Sequence, residues 1–136
     1  MYKEIIVIKV GTNVMTNKDN RIVRPVLRGL VKQIAELYER GIISILVSSG
    51  SVIAGKEVLG NSTIKATTQK RQVYSAIGQP RMMSLYYNIF QDYGMKCAQV
   101  LPTKRDFSLG IHRENMINCV QGLLSEGVIP IANEDD

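Results

Sequence analysis

The residues best suited to chemistry follow apolar runs, and the first of them is a lysine. Lys9 lies near the end of the run "IIVIKV" and is followed by Gly11 and Thr12. A lysine beside a glycine turn can stabilise a phosphoryl group, because the ammonium is a compact positive charge and glycine lets the backbone approach an anion closely. The spacing "KVGTN" matches neither a Walker loop nor a dinucleotide fingerprint. The stretch therefore predicts an anion-binding turn, or else a lysine that merely extends its charged end into water.

Two further stretches have the same arrangement of an apolar run followed by polar residues. Ser49 and Gly50 belong to "SSGS", where a helix is predicted to begin, so free N–H groups and the helix dipole there favour an anion. The same four residues are equally typical of a turn with a helix cap. Asn133 and Asp136 belong to "NEDD", whose acids could bind the ammonium group of a substrate or could simply be a solvated end.

The elements that must position these residues can be predicted from hydrophobic patterning. Near-continuous apolar runs are typical of strands covered by helices on both faces. They occur over residues 4–10, 43–49, 96–102 and 127–133. Helical spacing occupies residues 25–41, 50–60, 68–94 and 113–127, and Pro80 is expected to kink or divide the third of these helices. The apolar side chains expected to face inward on the last helix are Met116, Ile117, Val120, Leu123 and Leu124.

The alternation of strands and helices predicts a three-layer α/β/α sandwich with a mainly parallel sheet. Ligands of open α/β sheets bind outside the carboxyl ends of the strands. In this fold the lysine turn, the serine–glycine turn and the terminal acids therefore meet at one edge of the sheet.

Composition narrows the class of protein. The 136 residues suffice for one compact domain, and no apolar stretch approaches the roughly 20 residues that span a membrane. The N-terminus has no secretory signal pattern, and Cys97 and Cys119 lack the spacing of metal or redox motifs. They are expected to be buried, reduced thiols of a cytoplasmic protein. His112 is the only histidine, and no metal site can be built around it.

The net charge of +5 raises the possibility of a nucleic-acid ligand. The basic residues are scattered, however, and aromatic side chains do not alternate with them. A solvated surface is the better interpretation, and an anionic small-molecule substrate fits the charge equally well.

Four segments together resemble a known family. "VIKVGTNVMT", "ILVSSGSVIAGKEVLG", "AIGQPRMMSLYYNIFQDYG" and "VIPIANEDD" are similar, in this order, to the N-terminal half of the glutamate 5-kinases, a branch of the amino acid kinase family. The resemblance implies transfer of the γ-phosphate of ATP, with Mg²⁺, to the side-chain carboxylate of L-glutamate, the first step of proline biosynthesis. It also implies a cytoplasmic homo-oligomer with no membrane or nucleic-acid partner for this segment.

The resemblance assigns roles to seven residues of this chain. Those matching the ATP phosphate site are Lys9, Gly11 and Thr12, with Lys9 also the catalytic group that stabilises the transferred phosphoryl group. Those matching the glutamate site are Ser49, Gly50, Asn133 and Asp136. Asp135 stands where the family motif usually has asparagine, which adds a negative charge beside the glutamate pocket.

The resemblance further implies that residues 1–136 are the amino-acid-binding part of a kinase domain, without its C-terminal nucleotide-binding part. On this interpretation the 136 residues alone are inactive, and an exposed sheet edge favours self-association. The alternatives are another amino acid kinase, or a truncated, non-catalytic module that binds glutamate or proline.

Overall fold

The computed structural model describes residues 2–102 and 110–133, which form a parallel four-stranded sheet packed with helices. The strands are β1 (Glu4–Val10), β2 (Ile42–Ser48), β3 (Lys96–Val100) and β4 (Val128–Asn133). The helices are α1 (Thr12–Met15), α2 (Arg24–Glu39), α3 (Ser51–Leu59), α4 (Thr67–Asp92) and α5 (Ile111–Ser125). The strand order is β1-β2-β4-β3, and all neighbouring strands are parallel. The predicted α/β class with a parallel sheet is confirmed, with each strand boundary within two residues of its prediction.

The connections distribute the helices over both faces of the sheet. The chain moves in one direction across the sheet from β1 to β2 and on to β3, then returns to β4. Because such crossovers are right-handed, α2 and α4 lie on one face and α5 lies on the other. The contacts agree: α2 packs on β2 and against α4, whereas α5 packs on β4.

The crossing of α3 and α4 brings two helix backbones into direct contact. A Cβ atom at Gly55 would overlap the backbone carbonyl of Tyr74, and one at Gly78 would overlap the carbonyl of Ser51. Only glycine fits at either position, because any side chain would have to displace backbone. The hydroxyls of Ser51 and Ser75 add a hydrogen bond of 2.9 Å across the same crossing.

Helix α4 continues through Pro80 as one helix of 26 residues, so the predicted division at this proline is wrong. Proline removes the one hydrogen bond that its missing N–H would have made. Helix α4 has buried residues on both sides of Pro80: Tyr74 and Gly78 precede it, and Tyr86 and Phe90 follow it. Packing of these residues outweighs the lost hydrogen bond.

One face of β1 is open, contrary to the prediction that helices cover both faces of every strand. Ile5 and Val7 are 44% and 65% exposed, while Ile6 and Ile8 on the other face are half-buried and Val10 is buried. The reason is topological, since α5 packs on β4 and β1 is an edge strand of the described sheet.

Helix α5 is less buried than its pattern predicts. Leu124 is its buried residue, Ile117 is 42% exposed, and the other three predicted core residues are half-buried. The predicted burial of both thiols is also only partly right. Cys97 is half-buried, and burial raises its pKa to about 11, whereas Cys119 on α5 is exposed. Among the helices described, none is both long enough and apolar enough to cross a membrane.

The α3–α4 crossing yields a stability prediction. Gly78→Ala should lower the free energy of unfolding by about 2 to 3 kcal/mol, because the added methyl group overpacks a backbone contact. The control is Gly29→Ala in α2, where a Cβ meets nothing within 4 Å and alanine favours the helix. Urea unfolding followed by circular dichroism measures both. Equal stability of the two variants would contradict the crossing.

Candidate functional site

The carboxyl ends of β1, β2 and β4 meet at one edge, as the sequence predicts. The N–H of Ser49 donates to the carbonyl of Val10 at 3.0 Å, which joins the turn after β2 to the end of β1. In the register of the sheet, Ser48 is level with both Val10 and Asn133. The edge therefore places Gly11, the Ser49–Gly50 turn and Asn133 side by side.

Lys9 and Asn133 lie on opposite faces of the sheet. Side chains alternate along a strand, and residues paired in a parallel register point to the same face. Lys9 is paired with Val47, so its exposed side chain shares the open face with Ile5 and Val7. Ser48 and Asn133 point to the face that carries α4. Among the residues that the structure describes, the predicted site residues therefore lie at one edge of the sheet, with Lys9 and Asn133 on its opposite faces.

A depression on the α4 side contains two of the predicted substrate residues, Ser49 and Asn133. Sequence reasoning missed the contributions of α4 and β3. The full lining is Ser48, Ser49, Gln79, Met82, Met83, Tyr86, Gln99, Ile131, Ala132 and Asn133. The side-chain amide of Gln99 donates to the side-chain oxygen Oε1 of Gln79 at 3.4 Å, so the two side-chain amides face each other at the rim. The signal that could have found Gln79 is its place in the segment "AIGQPR".

The Ser49–Gly50 turn has a conformation that requires glycine. Gly50 adopts φ +105°, in the left-handed region, and caps the N-terminus of α3. A Cβ at this position would collide with Met15 of α1 and contact Met82 of α4. The two methionines therefore leave room only for glycine here, and the N–H groups at the start of the helix that follows favour an anionic ligand.

Gly11 differs from Gly50, because its backbone is ordinary and the space above it is open. Its φ of −81° and ψ of 162° are accessible to any residue, and a Cβ would meet nothing within 4 Å. Thr12 begins α1 directly after it, and the Val14 N–H donates to the Gly11 carbonyl at 3.1 Å. The open space is what a phosphate group needs for a close approach to the backbone.

A buried hydroxyl network lies beneath the turn. The hydroxyls of Tyr86 and Ser48 are 2.7 Å apart, and the Ser48 hydroxyl donates to the carbonyl of Ser49 at 2.9 Å. Burial raises the pKa of Tyr86, and the hydrogen bond with Ser48 opposes this shift only in part. The phenol is therefore protonated at neutral pH.

Metal ligands do not gather in the part of the chain that the structure describes. Over residues 2–102 and 110–133, no three histidine, cysteine or acidic side chains lie close enough together to hold an ion. Asp136, predicted to bind substrate, lies outside the described residues together with residues 134–135.

A second cavity, of about 690 Å³, is lined by the loop after α1, the end of α3 and the start of α4. None of the predicted site residues lines it. Its charged side chains are Asp19, Arg21, Lys56, Glu57 and Lys70. Two of them already have partners, since Glu57 accepts the Ile22 N–H at 2.8 Å and Lys56 lies over the ring of Tyr74.

A parallel sheet with two anion-favouring turns at its carboxyl edge is the kind of domain that binds phosphorylated or carboxylate ligands. The chain belongs to the amino acid kinase family, whose sequence model matches residues 4–136.

Individual relatives place the chain near one branch of this family. It is 40% identical over 131 residues to glutamate 5-kinase of Bacteroides thetaiotaomicron, and 41% identical over 134 residues to that of Geobacter sulfurreducens. Glutamate 5-kinase of Alkaliphilus metalliredigens is also 40% identical. Each alignment covers 96% of this chain, but only 36%, 35% and 50% of the respective relatives. The chain therefore spans between about a third and a half of the length of the kinases it matches.

A solved structure supports the fold. An X-ray structure of isopentenyl phosphate kinase matches with a TM-score of 0.59 at 22% identity, covering 96% of this chain and 56% of that one. At this identity the likeness concerns the fold alone.

The two glycines of the edge should respond differently to the same substitution. Gly50→Ala should cost about 1 to 3 kcal/mol of unfolding free energy, because alanine is strained at φ +105° and its methyl group meets Met15. Gly11→Ala should leave the unfolding free energy within about 0.5 kcal/mol. Urea titration measures both variants. A large loss of stability in Gly11→Ala would show that this glycine is structural.

Proposed function

We propose that the chain is the amino-acid-binding part of a glutamate 5-kinase, which transfers the γ-phosphate of ATP to the side-chain carboxylate of L-glutamate. The observation that carries this proposal is the match of about 40% identity, over nearly the whole chain, to glutamate 5-kinases. The arrangement of the edge supports it, because one side offers a lysine beside an open glycine turn and the other offers a depression that includes serine, glutamine and asparagine side chains.

Lys9 and Gly11 form the phosphate side of the proposed site. Phosphoryl transfer depends mainly on positioning and on charge stabilisation, so a lysine near the transferred group is a suitable catalytic residue. Lys9 lies two residues before Gly11, whose missing side chain leaves open space at the edge. With Thr12 at the start of α1, these residues hold phosphate oxygens beside the end of β1.

Ser49, Gly50 and Asn133 form the glutamate side. The N–H groups at the start of α3 and the hydroxyl of Ser49 suit a carboxylate, and the Asn133 amide can both donate and accept hydrogen bonds. Asp136 is proposed to hold the ammonium group of the substrate. The bond from the Ser49 N–H to the Val10 carbonyl keeps this side in register with the phosphate side.

ATP and Mg²⁺ are proposed as cofactors. Mg²⁺ would supply positive charge that reduces the negative charge of the phosphates. Since no described cluster of side chains suits a metal, this part of the chain would hold the ion through the phosphates rather than directly.

We further propose that residues 1–136 do not form the whole catalytic unit, and that the protein acts in the cytoplasm as a homo-oligomer. The greater length of the relatives supports the first statement. Glutamate-dependent ADP release by the purified 136 residues would contradict it, and sedimentation of the complete enzyme tests the oligomer. The complete enzyme means this chain joined to the residues that its relatives carry beyond it.

Lys9 should matter for turnover more than for glutamate binding. Lys9→Ala in the complete enzyme should reduce kcat about 10²–10³-fold, typical of losing one charge-stabilising group, with a much smaller change in the KM for glutamate. Lys32→Ala, an exposed lysine of α2, is the matched control. Initial rates of ADP release measure both variants. Near-normal turnover in Lys9→Ala would show that Lys9 has a structural role only.

Ser49 and Asn133 should matter for glutamate rather than ATP. Ser49→Ala and Asn133→Ala should each raise the KM for glutamate by about 5- to 10-fold, because each removes a hydrogen bond to the substrate, and should change the KM for ATP much less. Equal effects on both substrates would contradict the assigned sides. If no complete enzyme phosphorylates glutamate, but the 136-residue chain binds glutamate or proline in calorimetry, a non-catalytic binding module replaces the kinase.

A further inference from the structure

Tyr86 is a buried tyrosine at the depression, and the proposed roles above do not use it. Its side chain is fully buried on α4, and its hydroxyl is 2.7 Å from the Ser48 hydroxyl. Ser48 is 5% exposed and forms the last residue of β2. Both hydroxyls are engaged in hydrogen bonds within the protein.

The directions of the hydrogen bonds follow from the number of hydrogens. Ser48 has one hydroxyl hydrogen, which it donates to the carbonyl of Ser49 at 2.9 Å. The hydrogen in the 2.7 Å contact must then come from Tyr86. The result is a directed chain from the phenol of Tyr86, through the Ser48 hydroxyl, to the carbonyl of Ser49.

These two hydrogen bonds fix the peptide plane between Ser49 and Gly50. In a trans peptide the carbonyl and the following N–H point in opposite directions, so holding the Ser49 carbonyl towards Ser48 directs the Gly50 N–H away from it. Both flanking peptides are also held, since the Ser49 N–H donates to Val10 and the Gly50 carbonyl accepts the Ala54 N–H at 2.9 Å. Met15 and Met82 also lie close to Gly50, and within this packing the hydrogen bond from Ser48 sets the direction in which the Ser49 carbonyl points.

We propose that Tyr86 is a positioning residue, which acts through Ser48 to orient the Gly50 N–H for the carboxylate of the amino-acid substrate. The proposal rests on the function proposed above and adds a residue from α4 to the substrate side. It assigns Tyr86 no contact with substrate, phosphate or metal.

The first test needs no catalysis and uses the 136-residue chain. Tyr86→Phe removes the hydroxyl and keeps the ring, and Tyr87→Phe is the control, since Tyr87 is 55% exposed on the same helix. In ¹⁵N-labelled protein, the Gly50 amide resonance should shift in Tyr86→Phe and in Ser48→Ala, and should stay in place in Tyr87→Phe. An unchanged Gly50 amide in folded Tyr86→Phe, or in Ser48→Ala if the former does not fold, overturns the proposal.

The second test uses the complete enzyme. Tyr86→Phe should raise the KM for glutamate about 5-fold, the effect of one neutral hydrogen bond, and leave the KM for ATP unchanged. Ser48→Ala should have a similar effect, and the double variant should be no worse than either single one, because both act through the same chain. A purely structural tyrosine would instead give additive effects, or would alter both KM values, and either result overturns the proposal.

The outcomes separate the two proposals. A wild-type enzyme without activity on glutamate refutes the proposed function, while the Gly50 resonance still decides whether Tyr86 orients the turn. An active wild-type enzyme with an unchanged glutamate KM in both Tyr86→Phe and Ser48→Ala refutes the positioning role alone.

Discussion

The direct backbone contact between α3 and α4 is the constraint on which the rest of the site depends. Gly55 and Gly78 have no side chain at the two points of closest approach, so the carbonyl of Ser51 lies against Gly78 without a spacer. The turn that precedes Ser51 is thereby fixed relative to the middle of α4, from which Gln79 and Tyr86 reach the depression. A larger residue at the crossing would push these groups apart by more than the roughly 0.5 Å over which the length of a good hydrogen bond varies. The precision of the turn is therefore a property of helix packing rather than of the loop itself.

The sheet places Lys9 and Asn133 on opposite faces while its backbone keeps both at one edge. Lys9 faces one side, and Ser48 and Asn133 face the other. The strand edge between them is about one peptide thick and is tied together by the bond from Ser49 to Val10. In the proposed function, a phosphate near Gly11 and a carboxylate near Gly50 would approach each other over this edge without sharing side chains. This arrangement keeps the positive charge of Lys9 away from the buried hydroxyls of Ser48 and Tyr86.

The sequence predicted the elements better than it predicted what covers them. The strands were visible because parallel strands are apolar runs, and Ser49 and Gly50 were visible because a serine–glycine turn before a helix has a local signature. Nothing local revealed that Tyr86 lies beneath that turn, since the contact joins residues 38 positions apart. The open face of β1 was missed for a related reason. An apolar pattern indicates that Val7 can be buried, but the order of the strands in the sheet decides whether a helix covers it. The disruptive effect of Pro80 on its helix was overestimated. The hydrogen bond that proline removes can be read from the local sequence, whereas the packing that offsets this loss involves residues distant in sequence.

The open face of β1 has a consequence for the heat capacity of this chain. Ile5 and Val7 are already hydrated in the folded state, so unfolding exposes less new apolar surface than in a domain whose sheet is covered on both sides. Newly hydrated apolar surface is the source of the positive heat-capacity change of unfolding, usually about 12–15 cal/mol/K per residue. For residues 1–136 studied alone, these two side chains should lower the heat-capacity change by less than about 1 cal/mol/K per residue. A smaller heat-capacity change flattens the dependence of stability on temperature, and it moves cold denaturation further below the freezing point of water.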